Sequence, residues 1–270
     1  MDKYAIVYMV AGVSSRFNGK IKQLTKVGSK GETLIECSIN QALEAGFNEV
    51  VFIVSEKTEK PFKDKFGYML QSGEPVRYVL QTYDETVRDK PWGTADAICC
   101  IKDIVNCPFV ICNGDDLYGE KTFELLRSHL EQSPDGATIG YPLQTVLSDK
   151  GGVNRAMYLI KDGYVEKITE LYNITKTNCI NPEDLCSMNI YALTPETVND
   201  LHLRINTYKK DTTGPETEFL IQEELTKLIQ ENKLKLKIYP TNDEWFGITN
   251  PGDEIEIQKR LKSRKINNKE

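Results

Sequence analysis

The sequence predicts an α/β protein with a mixed, mostly parallel central sheet flanked by helices and a smaller mixed or antiparallel sub-sheet. Three observations predict it. From Tyr4 to about Asp135 short apolar runs alternate with helical periodicities, the pattern of a parallel sheet covered on both faces. From about Gly136 strands follow one another with few helices between them, as in an antiparallel or mixed sheet. The chain has 270 residues, long for one ordinary domain and short for two independent ones. With no internal repeat, low-complexity tract or Pro/Ser-rich linker, one domain over 1–270 is expected, its lobes 1–135 and 136–270 sharing a continuous sheet.

Tyr4–Ala11 reads as the first strand. Thr33–Ala45 carries Leu34, Ile35, Ile39, Ala42 and Leu43 on one helical face, with Gly46 placed for a left-handed cap. Val50–Val54 is a buried strand, and Val76–Leu80 and Phe109–Cys112 are further strands. Helices are expected over Ala95–Ile104 and Thr122–Leu130. In the second half Ala137–Leu143, Ala156–Lys161, Val165–Ile168 and Met188–Leu193 read as strands. Helices return over Glu218–Glu231 and Asp253–Arg264, with Leu234–Tyr239, alternating Leu and Lys, as an edge-like strand. Each first-half strand ends near a polar loop, and open sheets of this kind bind ligands outside the carboxyl ends of their strands.

Composition excludes several classes. Forty per cent hydrophobic and 27% charged residues describe a globular protein with a core. A net charge of −6 argues against general nucleic-acid binding, and the basic run from Lys259 to Lys269 reads as a solvated helix end. Seven cysteines without a CxxC pair suit reduced thiols. Lys3–Val13 superficially resembles a signal peptide, but it leads directly into a Gly/Ser turn and reads better as a strand. No stretch approaches the roughly 20 apolar residues of a membrane span. A cytoplasmic protein without membrane or nucleic-acid partners is expected, with homo-oligomerisation left open. Both histidines, His129 and His202, read as surface helix residues, and no Ser/His/Asp system emerges.

The strongest chemical feature is the loop Ala11–Leu24, AGVSSRFNGKIKQL. Gly12, Ser14 and Ser15 are small enough for backbone amides to approach an anion, and Arg16 and Lys22 add positive charge. Read alone, the loop is also an ordinary strand-to-helix connection. There is no GxGxxG, and the basic residues fit a triphosphate better than a dinucleotide pyrophosphate.

Here the chain resembles the nucleotidyltransferase superfamily of sugar-1-phosphate pyrophosphorylases and their cytidylyltransferase relatives. Their first strand ends in A-G-x-G-T/S-R followed by a lysine; this chain has Ala11-Gly12-Val13-Ser14-Ser15-Arg16 and then Lys22-Gln23, departing at Ser14. The resemblance implies a Rossmann-like, GT-A type sheet, with 1–135 binding nucleotide and 136–270 binding substrate. It makes Arg16 and Lys22 the catalytic grip on the triphosphate, with Lys26 a weaker substitute for Lys22. Ala11, Gly12, Ser14 and Ser15 would contact the nucleotide. Tyr78-Val79-Leu80-Gln81 and Trp92-Gly93-Thr94-Ala95-Asp96-Ala97 match the family's base-facing elements, implying base contacts from Gln81, Gly93 and Thr94. A side-chain amide offers both donor and acceptor to a base; without the first loop, Gln81 reads as a polar loop residue and Thr94 as a helix cap. Val110-Ile111-Cys112-Asn113-Gly114-Asp115-Asp116 resembles the family's strand ending in G-D, whose aspartate holds Mg²⁺. That makes Asp115 the metal ligand and Asp116 a supporting or loop-capping residue.

The second lobe matches less tightly. Gly152, Glu170, Asn189 and Glu218 fall where the family contacts the sugar, though each singly is an ordinary structural polar residue. The lysine usual after the Glu170 position is replaced by Leu171-Tyr172, and Arg155 stands in as the sugar-phosphate ligand. The family's second metal-binding aspartate is replaced by Gly247 in Trp245-Phe246-Gly247-Ile248-Thr249-Asn250-Pro251-Gly252-Asp253, leaving Asn250 or Thr249 as substitutes. Thr249, Pro251 and Asp253 also read as the start of the last helix.

The expected reaction joins an NTP, UTP or dTTP on the strength of Gln81, to a sugar-1-phosphate with Mg²⁺ as cofactor. Cytidylyl transfer to a polyol, choline or other small phosphate is the nearest alternative. A GT-A-like glycosyltransferase would have no use for Arg16 and Lys22, and a non-catalytic regulatory homologue no reason to keep Arg16, Lys22, Gln81 and Asp115 together. No acyltransferase repeat follows residue 270, so an appended acetylating activity is not expected.

Overall fold

The computed structural model describes residues 2–12, 21–148, 151–179, 181–212, 214–248 and 252–267. Ser14, Ser15, Arg16 and Asn250 lie outside the described residues. The first half lays down strands β1 (Ala5–Met9), β2 (Glu49–Val54), β3 (Val76–Leu80) and β4 (Phe109–Asn113) with helices α1 (Leu34–Glu44), α2 (Glu56–Phe66) and α3 (Thr94–Cys99) between them. A short strand β5 (Asp116–Leu117) and α4 (Glu120–Gln132) follow. The second half adds β6 (Gly136–Pro142), β7 (Val153–Lys161), β8 (Tyr164–Ile174), β9 (Leu185–Ser187) and β10 (Tyr191–Leu193), then α5 (Pro195–Asp211), α6 (Ile221–Gln230), β11 (Leu236–Pro240), β12 (Phe246–Gly247) and α7 (Asp253–Asn267).

Ten of these strands form one sheet in the order β3-β2-β1-β4-β10-β6-β9-β7-β8-β11, with β11 also paired to β6. Strands β3, β2, β1 and β4 are mutually parallel; β10 enters antiparallel between β4 and β6. The sheet is mixed, as expected, parallel over the first-half strands and largely antiparallel over those of the second half, which belong to the same sheet.

Period-two alternation divides each central strand between two apolar layers. Ile6, Tyr8, Val50, Phe52, Val54, Val110 and Cys112 pack with α1, α2 and α4 through Ile35, Ile39, Phe62, Phe123 and Leu126. Ala5, Val7, Val51, Ile53, Phe109 and Ile111 pack on the other face with α3, α5 and α6 through Ile98, Leu201, Ile205 and Leu225. Each fully buried Val, Leu, Ile or Phe contributes about 1.5–3 kcal/mol of burial free energy. That accounts for the continuous apolar reading of these strands. Helix α1 starts at a Thr33/Glu36 capping box and stops at Gly46, φ +95°.

Several expectations are corrected. The strand at 234–239 is not an edge, because β11 runs parallel to β6 and antiparallel to β8. The helix expected over Ala95–Ile104 ends at Cys99, and Asp103 takes φ +65° in the turn that follows. The strand expected over Met188–Leu193 begins at Tyr191, because Asn189 sits at φ +58° and separates β9 from β10. Helix α6 starts at Ile221 because Phe219 is drawn into backbone bonds with Trp92 and Ala95. His129 is not on the surface: it is buried on the inner face of α4, with Nδ1 at 3.0 Å from Tyr239 Oη and Nε2 at 2.9 Å from Asp135 O.

Candidate active site

Parallel pairing brings three of the sequence motifs to one edge of the sheet. Met9 of β1 is level with Asn113 of β4 and Ile53 of β2, and Val54 is level with Leu80 of β3. The ladder runs one residue further in each case, through Val10 N–H to Ile53 O, Gly114 N–H to Met9 O and Gln81 N–H to Val54 O. Ala11-Gly12, Asp115 and Gln81 thus leave the sheet together at its carboxyl end. Gly12 is exposed with no atom within 4 Å of a Cβ placed on it. Gly114 has no such room: a Cβ there would lie 2.3 Å from Val10 Cγ1, so close packing of β1 on β4 demands glycine before Asp115.

Lys22, at the start of a single 3-10 turn, forms an ion pair with Asp115, both side chains about one-fifth exposed. Lys26 is exposed, and its carbonyl accepts from Gln258 of α7. Asp116 points the other way and is buried. Its Oδ2 accepts from Asn113 Nδ2 at 2.9 Å and lies 3.2 Å from the Tyr118 hydroxyl. Burial and the neighbouring Asp115 carboxylate push the Asp116 carboxyl up from its ordinary range. Strand β12 closes this side, with Gly247 level with Asp116 and Ile248 N–H donating to Asp115 O at 3.1 Å. A Cβ on Gly247 would lie 2.6 Å from Asp116 Oδ1 and 2.5 Å from the Trp245 ring.

At the end of β3, Gln81 is buried with its amide oriented by two acceptors. Nε2 donates to Gly93 O at 3.1 Å and to Asp96 Oδ2 at 2.9 Å. Gly93 has φ +106°, and a Cβ there would meet Phe219 O at 2.7 Å. The turn is tied to the strap before α6 by Phe219 N–H to Trp92 O, Ala95 N–H to Phe219 O, and Ile221 N–H to Thr94 Oγ1 at 3.0 Å. Arg88, itself buried, stacks 3.5 Å from the Trp92 ring centre and donates to Gly214 O and Thr217 O.

On the second lobe Arg155 of β7 is held at Nη2 by Val146 O and at Nη1 by Asn154 O, and lies 5.3 Å over the Trp245 ring. Its Nε and Trp245 Nε1 are buried donors with no hydrogen-bond partner among the described residues. Burial lowers the Arg155 pKa, against the opposing charges of Asp116 and Glu170; burial raises Glu170, against Arg155. In the β7–β8 ladder Arg155 is level with Leu171, one residue along from the pairing of Ala156 with Glu170. Asn189 accepts from Gln222 Nε2 at 2.7 Å. Gly152 lies against Asn173, whose Oδ1 would be 1.9 Å from a Cβ. Glu218 is exposed, 3.6 Å from Lys90 and packed beside Gly93.

The sequence profile of the family described as nucleotidyl transferase matches residues 15–264. The chain belongs to this family. A sequence search of curated proteins gives no match. Among solved structures this nucleotidyl transferase is similar to a UDP-glucose pyrophosphorylase complexed with UDP-glucose, at 16% identity and a TM-score of 0.70 over 98% of this chain and 100% of that one. It is also similar to UDP-glucose pyrophosphorylase from Acinetobacter baumanii, at 15% identity, TM-score 0.68 and 99% of each chain. A third is a Bacillus anthracis protein assigned as a glucose-1-phosphate thymidylyltransferase, in complex with sucrose, at 14% identity and TM-score 0.68 over 97% of this chain and 95% of that one. At these identities the likeness establishes the fold.

For a nucleotidyl transferase the donor set at Asp115 fits Mg²⁺. Among the described residues no three His, Cys, Asp or Glu side chains gather around one point, and Gly247 has no room for a carboxylate. Mg²⁺ needs few protein oxygens, because it keeps waters and takes the rest from substrate phosphates. The Asp115 carboxylate also pushes up the Asp116 carboxyl beside it, a repulsion that a cation at Asp115 would relieve. Asp96, Arg88 and Trp245 were not singled out by sequence reasoning. Asp96 had a signal, being the one charge in the apolar run Ala95–Cys99; Arg88 and Trp245 had none.

Proposed function

We propose that this nucleotidyl transferase joins UTP or dTTP to a sugar-1-phosphate, giving NDP-sugar and pyrophosphate. The observation that supports it most is the Lys22–Asp115 ion pair beside the carboxyl ends of β1 and β4, with Gly12 following β1 and Gln81 at the same end of β3. In this reading a phosphate oxygen of the sugar phosphate attacks the α-phosphorus of the NTP. The bond from that phosphorus to the bridging oxygen breaks, and pyrophosphate leaves with its electron pair. A phosphate monoester, with a second pKa of about 6, is already ionised near neutral pH and needs no general base.

Catalysis then rests on positioning and charge. Lys22 and Arg16 bind the triphosphate and stabilise charge growing on pyrophosphate, with the amides of Ala11, Gly12, Ser14 and Ser15 beside them. Asp115 would hold Mg²⁺, which supplies charge neutralisation at the phosphates when bound; Asn250 is the remaining candidate ligand. Gln81 reads the base inside the turn of Gly93 and Thr94. Arg155 takes the sugar phosphate through its Nε, which has no hydrogen-bond partner among the described residues. Gly152, Glu170, Asn189 and Glu218 contact the sugar. The protein acts on small molecules in the cytoplasm.

The test is pyrophosphate release across UTP, dTTP, CTP, ATP and GTP, each with a panel of sugar-1-phosphates and with choline or polyol phosphates, in Mg²⁺. Release that requires a sugar-1-phosphate together with UTP or dTTP supports the reading. Release with choline or polyol phosphate and CTP instead would replace it with the cytidylyl alternative.

A further inference from the structure

Both hydrogens of the Gln81 amide are committed. One goes to the carbonyl of Gly93 and the other to a carboxylate oxygen of Asp96. A carbonyl and a carboxylate only accept, so the NH₂ group has to face them and Oε1 faces away. Among the described residues Oε1 has no hydrogen-bond partner. Reversing the amide would set Oε1 against two acceptors in a site where Gln81 and Asp96 are 6% and 3% exposed, an arrangement that low local dielectric makes costly.

The second oxygen of Asp96 is held from a different part of the chain. Lys209, in the last turn of α5, pairs with Oδ1 at 2.7 Å. Its ammonium also lies 5.6 Å from the centre of the Trp92 ring, on which Arg88 stacks. A buried carboxylate needs such a partner to stay charged. A protonated carboxyl could donate to Oε1 and would remove the orientation.

We propose that Asp96, held by Lys209, is a positioning residue that fixes the Gln81 amide with its oxygen outward and thereby selects uracil and thymine over cytosine. This rests on the reading of Gln81 as the base contact. Uracil and thymine carry N3–H, a donor that Oε1 accepts; cytosine carries an acceptor at N3, which Oε1 opposes. Selection comes from what Asp96 forbids, since a free amide would rotate to suit either base.

The experiment measures kcat/KM for UTP, dTTP and CTP at saturating sugar-1-phosphate in the wild type, Gln81→Ala, Asp96→Asn, Lys209→Met and Lys209→Arg, with a melting curve for each. Asp96→Asn preserves shape but accepts either amide orientation. It should lower the ratio of UTP to CTP by roughly tenfold, partly by raising kcat/KM for CTP, with kcat for UTP within about threefold of wild type. Lys209→Met should shift the ratio the same way and Lys209→Arg restore it; Lys209→Met carries the test if Asp96→Asn does not fold. Equal losses for both nucleotides in Asp96→Asn, leaving the ratio unchanged, would reveal a merely structural role and overturn the proposal. A ratio that moves in Gln81→Ala but not in Asp96→Asn or Lys209→Met overturns the Asp96 assignment alone. A wild type without preference overturns the base reading of Gln81 and this proposal with it.

Discussion

Lys22 pairs directly with Asp115 across the gap between the first loop and the end of β4. The side chain assigned to phosphate and the one assigned to the metal are thus close enough to act on one triphosphate. Charges that bind departing pyrophosphate more strongly than bound NTP lower kcat when removed. Lys22→Ala is expected to reduce kcat by about 100-fold or more, the scale for loss of one electrostatic stabiliser. Lys26→Ala, altering an exposed side chain, should change it by less than about twofold. Steady-state kinetics decide the matter, and unchanged kcat in Lys22→Ala with only a raised KM would contradict the assignment.

The two aspartates separate by environment. Asp115→Asn should remove the Mg²⁺-dependent rate, by about 100-fold or more. Asp116, turned towards Asn113 and Tyr118, should tolerate Asn with most activity retained. A Mg²⁺ titration of both variants checks the ranking, and the reverse order would make Asp116 the ligand.

Arg155 is expected to act on the sugar phosphate and not on the nucleotide. A charge-assisted hydrogen bond contributes about 1.5–3 kcal/mol, so Arg155→Ala should raise KM for the sugar phosphate by about tenfold or more while leaving KM for NTP nearly unchanged. Equal changes in both constants would assign Arg155 to packing of β7 against Val146.

Gly93→Ala tests the turn at the base side. At φ +106°, with Phe219 O and N within 2.7 and 2.9 Å of a new Cβ, alanine should cost about 1–3 kcal/mol. Urea unfolding should register this as a lower midpoint. An unchanged midpoint would mean that the Trp92–Phe219 strap yields freely.

Much of this was legible in the sequence, and unevenly so. The first four sheet strands, α1 and α4 were placed because both faces of a parallel strand are buried and amphipathic helices carry a clear stripe. Helix α2 was missed because only Thr58 and Phe62 are buried and Pro61 lies within it. Helix α5 did have signals, Pro195 at its start and Val198, Leu201 and Ile205 on one face. Lys22 and Asp115 could be named from local motifs, but their contact depends on β1 pairing with β4. Lys209 could not be found at all, because only the packing of α5 beside α3 brings it to Asp96. The edge reading of 234–239 failed for a similar reason: alternating Leu and Lys records which faces are wet, not whether both strand edges are paired.

The most direct test of the central claim is the reverse reaction. UDP-glucose, dTDP-glucose and other NDP-sugars are incubated with Mg²⁺ and pyrophosphate, and the products are separated by anion exchange. Attack on the α-phosphorus is microscopically reversible, so UTP or dTTP should form together with an equal amount of sugar-1-phosphate, and only when pyrophosphate is present. Release of UDP or dTDP without pyrophosphate would show glycosyl transfer instead, and the absence of any pyrophosphate-dependent NTP across the panel would contradict the account.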